Sequence, residues 1–289
     1  MKTLNIIGAG RVGRTLASLW EEKRTFVIGD VLDRTPAGAR EAVAFIGDGR
    51  AVNNISEMQA ADVWMLTPQD AAIVSCGDAL AASGLLRAGD IVFHCSGAMP
   101  STELKTALAC GAHVAGVHPL KSFADPRDAV RNFTGTYCAA EGARDALEVL
   151  KPAFERIGAR VSEIDAQFKT IYHTASVIVC NYLTALMEAG LKCYEKSGLP
   201  RETASAMMEP LVRETVDNVF RMGTVKALTG PIARGDHAVV AKQMQALAEW
   251  DPRLAVLYRE LGAIAVDLSR AQGEAGGEAL AELSKILKA

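Results

Sequence analysis

His173 and Asn181 have the types and spacing that proton transfer on a polar reactant requires. They stand eight positions apart in a helix-forming apolar stretch, a little over two α-helical turns, so both project from roughly one face. A histidine titrates near neutral pH and can deliver a proton. An asparagine on the same face can orient the reactant or hold its developing charge. The same pair would equally serve as satisfied polar groups where this helix packs on a neighbour. His118 and Lys121, in His118-Pro119-Leu120-Lys121-Ser122, are either reactant-facing or loop-fixing. In Gly230-Pro231-Ile232-Ala233-Arg234-Gly235-Asp236, Arg234 can bind an anionic group or pair with Asp236, which stands where it would cap the next helix. The five histidines and six cysteines show no HxxxH, HExxH or CxxC spacing. No metal is therefore indicated, and the cysteines read as reduced thiols.

A second constellation sits near the start. Gly8-Ala9-Gly10-Arg11-Val12-Gly13 follows a short apolar run and opens a helical pattern. Gly8 permits a tight turn, Gly10 lets the backbone approach a pyrophosphate, and Gly13 lets helix and strand pack closely. The helix start offers free N–H groups and a partial positive charge to phosphates. A ligand-free glycine turn is the plainer reading, and the place on the first strand-to-helix turn argues against it. The segment therefore predicts a nicotinamide-dinucleotide site that includes Arg11 and Val12. Asp33, 20 residues after Gly13, suits the ribose 2′-OH of NAD(H). Arg34-Thr35 beside it suits the 2′-phosphate of NADP(H), the cofactor favoured here, with NAD(H) as the alternative.

These residues need a scaffold, and the chain has two rhythms. Strand patterns at 4–7, 26–32, 62–66, 90–95, 113–117, 136–139 and 160–164 alternate with helical patterns at 12–22, 36–46, 69–83, 101–110 and 143–157. This predicts an α/β, Rossmann-type, mainly parallel sheet over residues 1–165. Helical spacing alone continues at 166–197, 201–222, 237–249 and 252–271, with Pro200, Gly223, Pro231 and Pro252 as breakers. Residues 166–289 are thus expected to form an all-helical substrate and dimerisation domain. Ligands of open parallel sheets bind beyond the C-terminal strand ends. Here those ends read Thr67-Pro68, facing the nicotinamide half, and Ser96-Gly97, facing the reacting end, with His118 on the next strand. A cleft between the two domains is the expected active site.

Composition narrows the classes. Residues are 49% apolar and 22% charged, and the net charge of -3 is spread along the chain, so no nucleic-acid surface is indicated. No secretory leader and no run approaching roughly 20 apolar residues is visible, which points to a cytoplasmic protein without a membrane span.

The glycine turn, Asp33-Arg34-Thr35 and the helical second half resemble the superfamily of ketopantoate reductases, pyrroline-5-carboxylate reductases and β-hydroxyacid dehydrogenases. In these a domain of the 6-phosphogluconate dehydrogenase C-terminal type follows the sheet. A bacterial family with a Rossmann-like domain and a domain of unknown function is a closer match. That resemblance rests on His94-Cys95-Ser96-Gly97, His118-Pro119-Leu120-Lys121-Ser122-Phe123, Tyr172-His173 with Asn181-Tyr182-Leu183, and Leu228 to Asp236. It implies an NADP(H)-dependent oxidoreductase, homodimeric through its C-terminal domain, moving a hydride to or from a small C=O or C=N substrate. In ketopantoate reductases a Lys is followed by Asn four and eight positions later. Aligned on Asn181, those positions read His173 and Val177; a second register gives Lys169 the Lys position and His173 the Asn one. His173 is then the expected acid and Asn181 the orienter. The departure from the Lys–Asn–Asn pattern leaves a non-catalytic dinucleotide sensor or partner-binding protein as the alternative.

Overall fold

A computed structural model describes residues 1–288. The chain divides into two compact units, Met1–Val179 and Cys180–Ala289.

The first unit is built on one sheet. Its strands are β1 (Thr3–Ile7), β2 (Val27–Leu32), β3 (Arg50–Val52), β4 (Val63–Leu66), β5 (Ile91–His94), β6 (His113–Pro119), β7 (Tyr137–Gly142) and β8 (Arg160–Glu163). They lie in the order β3-β2-β1-β4-β5-β6-β7-β8. All neighbours are parallel except β6 and β7, which are antiparallel. Helices α1 (Arg11–Glu22), α2 (Pro36–Ile46), α3 (Asp70–Ala82), α4 (Lys105–Ala109), α5 (Pro126–Arg131) and α6 (Arg144–Arg156) cover it, and α7 (Lys169–Ser176) follows β8. Strand order reverses between β1 and β4, the kind of crevice where such sheets bind ligands.

Burial on both faces explains why the central strands read as unbroken apolar runs: every residue of β4 and β5 is buried. One face carries Leu4, Ile6, Met65 and Phe93 against Trp20, Phe26 and Phe154. Trp20 meets Phe154 edge-on at 5.1 Å and donates from Nε1 to Ala153 O at 2.9 Å. The other face carries Ile7, Trp64, Leu66 and Val92 against Ile73, Leu80 and Leu104.

The helix expected over 166–197 is interrupted. A 3-10 turn (Ala166–Phe168) leads into α7, a π turn (Val177–Asn181) follows, and α8 (Tyr182–Lys196) completes the run. A π turn spaces hydrogen bonds i→i+5, so the α-helical phase assumed between His173 and Asn181 does not apply. By length and composition Ala166–Lys196 could cross a membrane, with mean hydropathy 1.3 in its most apolar window. Its start is nevertheless fixed to the sheet by a buried ion pair of Lys169. That attachment also explains why the first compact unit extends past residue 165 to include α7.

The second unit is helical. Besides α8 it holds α9 (Arg201–Ala227), α10 (His237–Trp250), α11 (Pro252–Gln272) and α12 (Gly277–Ile286). Gly223 (φ 82, ψ 161) kinks α9 without ending it. Asp251 caps α11 by accepting from the N–H groups of Arg253 and Leu254. Ile232, Val240, Val266, Leu280 and Leu283 form the core. Half-buried Trp250 holds the Lys196 ammonium 5.8 Å from its ring centroid. Between α8 and α9 runs an open groove of about 790 Å³ lined by Met187, Leu191, Met208 and Val212. On α9, Phe220 is 86% exposed and Leu211 57%.

Candidate active site

The glycine turn has the geometry its spacing predicts. Gly8 adopts φ +88, where a Cβ would overlap the Pro68 nitrogen. Its carbonyl accepts from Thr67 Oγ1 at 2.8 Å. Gly13 packs against the same threonine, its Cβ position 2.5 Å from Thr67 Oγ1. Gly10 faces open space, with nothing within 4 Å of where a Cβ would stand. Among the described residues no side chain caps α1, so its first N–H groups keep no side-chain partner there. Bare backbone, open volume and an uncapped helix start fit a dinucleotide pyrophosphate. Arg11 is exposed beside it, and Arg14 reaches back to donate to Ala9 O at 3.1 Å.

At the end of β2, Thr35 Oγ1 accepts from Gly38 N at 3.0 Å and so caps α2. The Asp33 carboxylate packs against Gly38, where a Cβ would overlap it, near a helix start whose dipole suits a negative charge. Exposed Arg34 enters no ion pair among the described residues. Of the Arg34-Thr35 pair expected to cradle a phosphate, the Thr35 hydroxyl oxygen is engaged in capping α2.

Beyond β4 and β5 lies a cleft of about 70 Å³ whose lining includes Val12, Thr67, Pro68, Asp70, Cys95 and Ser96. Ser96 Oγ donates to Asp70 Oδ2 at 2.7 Å and accepts from Met99 N at 3.1 Å, which fixes the turn into Gly97. Two imidazoles converge there. A Cβ on Gly97 would stand 2.6 Å from His173 Nδ1 and 2.9 Å from His118 Nε2. The ring centroids are 5.9 Å apart. His173 Nδ1 is buried and has no hydrogen-bond partner among the described residues.

His118 Nδ1 lies 3.1 Å from the Tyr172 hydroxyl. Burial pushes the Tyr172 phenol up to about 12, so it keeps its proton, and which of the two groups donates follows the His118 tautomer. The edge of His118 that faces Gly97 is Nε2. Burial, His173 and Lys169 together push the His118 imidazole down to about 4, against the pull of Asp70.

Beneath this pair is a buried polar layer. Lys169 Nζ donates to Glu141 Oε1 at 2.7 Å, both side chains being at most 1% exposed. Ser101 donates to the same carboxylate from N at 3.0 Å and from Oγ at 2.7 Å. His94, fully buried, accepts from Ser96 N at Nδ1 over 3.2 Å. Burial and Lys169 push its imidazole down to about 3; the nearby Pro100 carbonyl opposes this without forming a full hydrogen bond to Nε2.

The first unit therefore brings together Gly8, Gly10, Val12, Gly13, Thr67, Pro68, Ser96, Gly97, His118 and His173. Other expected residues lie elsewhere. Lys121 fixes its loop, donating to Asn132 O at 2.9 Å. Asn181 is exposed and belongs to the second unit. Arg234 is exposed, and no ion pair joins it to Asp236 among the described residues. Asp236 occupies the N-cap position of α10, but its side chain makes no capping bond. Sequence reasoning missed Asp70, His94, Ser101, Glu141 and the part played by Tyr172. The available signal was a polar residue in an otherwise apolar buried strand: His94 closes IVFH, and Glu141 interrupts YCAAEG.

Residues 2–119 match the Rossmann-like domain family, and residues 136–264 match a domain of unknown function, DUF2520. The two matches follow one another along the chain without overlap. The second match begins inside the sheet, so the DUF2520 region supplies β7, Glu141, Lys169 and His173. No curated protein matches the chain. Among solved structures it is similar to protein TM1727 from Thermotoga maritima, at 25% identity and TM-score 0.75, covering 93% of this chain and 99% of that one. BF3122 of Bacteroides fragilis, provisionally named an NADP oxidoreductase, is 23% identical with TM-score 0.64 over 94% of this chain and 98% of that one. An imine reductase variant from Myxococcus stipitatus, in complex with NAD+, is 16% identical with TM-score 0.64 over 98% and 99%. At these identities the last two likenesses are of fold alone.

Proposed function

We propose that the Rossmann-like, DUF2520-containing chain is an NADP(H)-dependent oxidoreductase acting on a small compound with a C=O or C=N bond. The observation that carries this reading is the convergence of His118 and His173 on Gly97, at the sheet edge that also bears the uncapped glycine turn. Bound on that turn, the nicotinamide cofactor supplies or accepts the hydride. Gly8, Gly10 and Gly13 let backbone and helix N-terminus hold its pyrophosphate, and Arg34 meets the 2′-phosphate. Thr67 and Pro68 shape the floor between the glycine turn and β4. His118 presents a neutral Nε2–H to the oxygen or nitrogen that gains electron density, and His173 exchanges the proton. Asn181 is kept as the expected orienter on the sequence argument alone.

Calorimetric titration of the purified chain with NADPH and, separately, NADH tests the reading. NADPH is expected to bind more tightly, and Arg34→Ala to weaken it about tenfold, the loss of one charge-assisted contact. Tighter NADH binding would move the assignment to Asp33. Binding of neither would sink it, and binding without any substrate-dependent turnover would favour a dinucleotide sensor.

A further inference from the structure

Lys169 is the only lysine or arginine among the described residues with a fully buried side chain. Removing an ammonium and a carboxylate from water costs more than their attraction returns unless the remaining hydrogen-bonding positions are met. Ser101 meets them on Glu141, through N and Oγ. An apolar pair of similar volume would still hold α7 to the sheet at least as well. Attachment alone does not account for the charges.

Their placement does. Strand register sets His94, Gly116 and Glu141 side by side across β5, β6 and β7. Gly116 has no side chain, and a Cβ there would overlap Lys169 Nζ and Glu141 Oε1 while standing 3.2 Å from His94 Cε1. Two residues along β6, on the same face, is His118. One helical turn along α7 from Lys169 come Tyr172 and His173, the residues that meet His118 at Gly97.

We propose that Lys169, ion-paired with Glu141 over Gly116, is the positioning residue of this site: it seats α7 so that Tyr172 and His173 face His118 at Gly97, and it places a fixed positive charge among these imidazoles. The proposal rests on the reading of Gly97 as the reacting end, but its test needs no substrate. The groups acting on His118 are Lys169, Tyr172 and His173 from α7 and Asp70 from α3, while Glu141 from β7 and His94 from β5 flank Lys169 at Gly116. Burial, then His173, then Lys169 oppose protonation of His118, and Asp70 favours it. Burial draws the Lys169 ammonium below its ordinary range, and Glu141 holds against that draw. The consequence is a division of labour: His118 stays a neutral donor, and His173, farther along the helix, is left to exchange the proton.

Nitrogen–proton correlation spectra of the imidazoles and of the lysine Nζ, recorded from about pH 3 to about pH 9, test this. His118 and His94 are assigned through His118→Gln and His94→Gln. In the wild-type chain His118 is expected to charge only near about 4, with Lys169 an ammonium at neutral pH. In Lys169→Met, and in Lys169→Met/Glu141→Gln, which leaves no buried carboxylate unpaired, the His118 midpoint is expected to rise. An unmoved midpoint in either folded variant would overturn the proposal. If neither variant folds, the wild-type spectra decide. A His118 midpoint near the ordinary value of about 6.5, or an uncharged Lys169, overturns it; a low midpoint beside a charged Lys169 supports it. NADPH titration of the same wild-type sample is read separately: failure to bind removes the proposed function and leaves the imidazole result standing.

Discussion

A buried imidazole nitrogen without a partner is costly, because the desolvation of the polar atom is not repaid by a hydrogen bond. His173 Nδ1 is such an atom, held against Gly97 beside a second imidazole. A substrate oxygen or nitrogen would supply the missing partner. Replacing His173 with Ala is therefore expected to lower turnover about 100-fold, as for loss of a general acid, while NADPH affinity stays nearly unchanged. Steady-state rates and calorimetry on the variant check both halves; undiminished turnover would remove His173 from the mechanism. At this scale the sequence was legible in part. The glycines of the turn, Thr67, Pro68, Ser96, Gly97 and His118 could be singled out because each stands at a strand end or on a recognisable turn, and His173 by its spacing in a helical pattern. Lys169 was readable only as an alternative register. Its partner is 28 positions earlier on a strand whose direction in the sheet no local pattern reveals.

Between elements, the contact that matters is α7 on the sheet, and Gly116 is where it is made. Adding one methyl group there overlaps both Lys169 Nζ and Glu141 Oε1, so the pair must shift. Gly116→Ala is expected to destabilise the first unit by roughly 2 kcal/mol, the cost of overpacking a tight core, and thermal unfolding by circular dichroism measures it. A melting temperature equal to that of the wild type would show that the layer yields. The elements themselves divide by how they are buried. β4 and β5 were legible since strands covered on both faces carry unbroken apolar runs. β3 was not, being three residues long, and α5 is only six. The π turn left no trace because Val177, Ile178 and Val179 continue the apolar pattern that a regular helix would show.

In the molecule as a whole, the helical unit leaves a large apolar surface uncovered, including Phe220 and Leu211 on α9 and the groove between α8 and α9. Exposed patches of this kind mark interaction sites, and the family resemblance makes a second copy of the chain the expected occupant. Sedimentation equilibrium at micromolar concentration is expected to give twice the chain mass of 30.7 kDa; a single species at 30.7 kDa would withdraw the dimer. A different consequence follows from where the tryptophans sit. Trp20 lies in the apolar layer on one face of the sheet, Trp64 in the layer on the other, and Trp250 in the helical unit, under a lysine. Each layer thus carries its own fluorophore. A chain in which two of the three are replaced by Phe would emit from one layer alone, so that the loosening of either face, or of the helices, can be followed by its own colour.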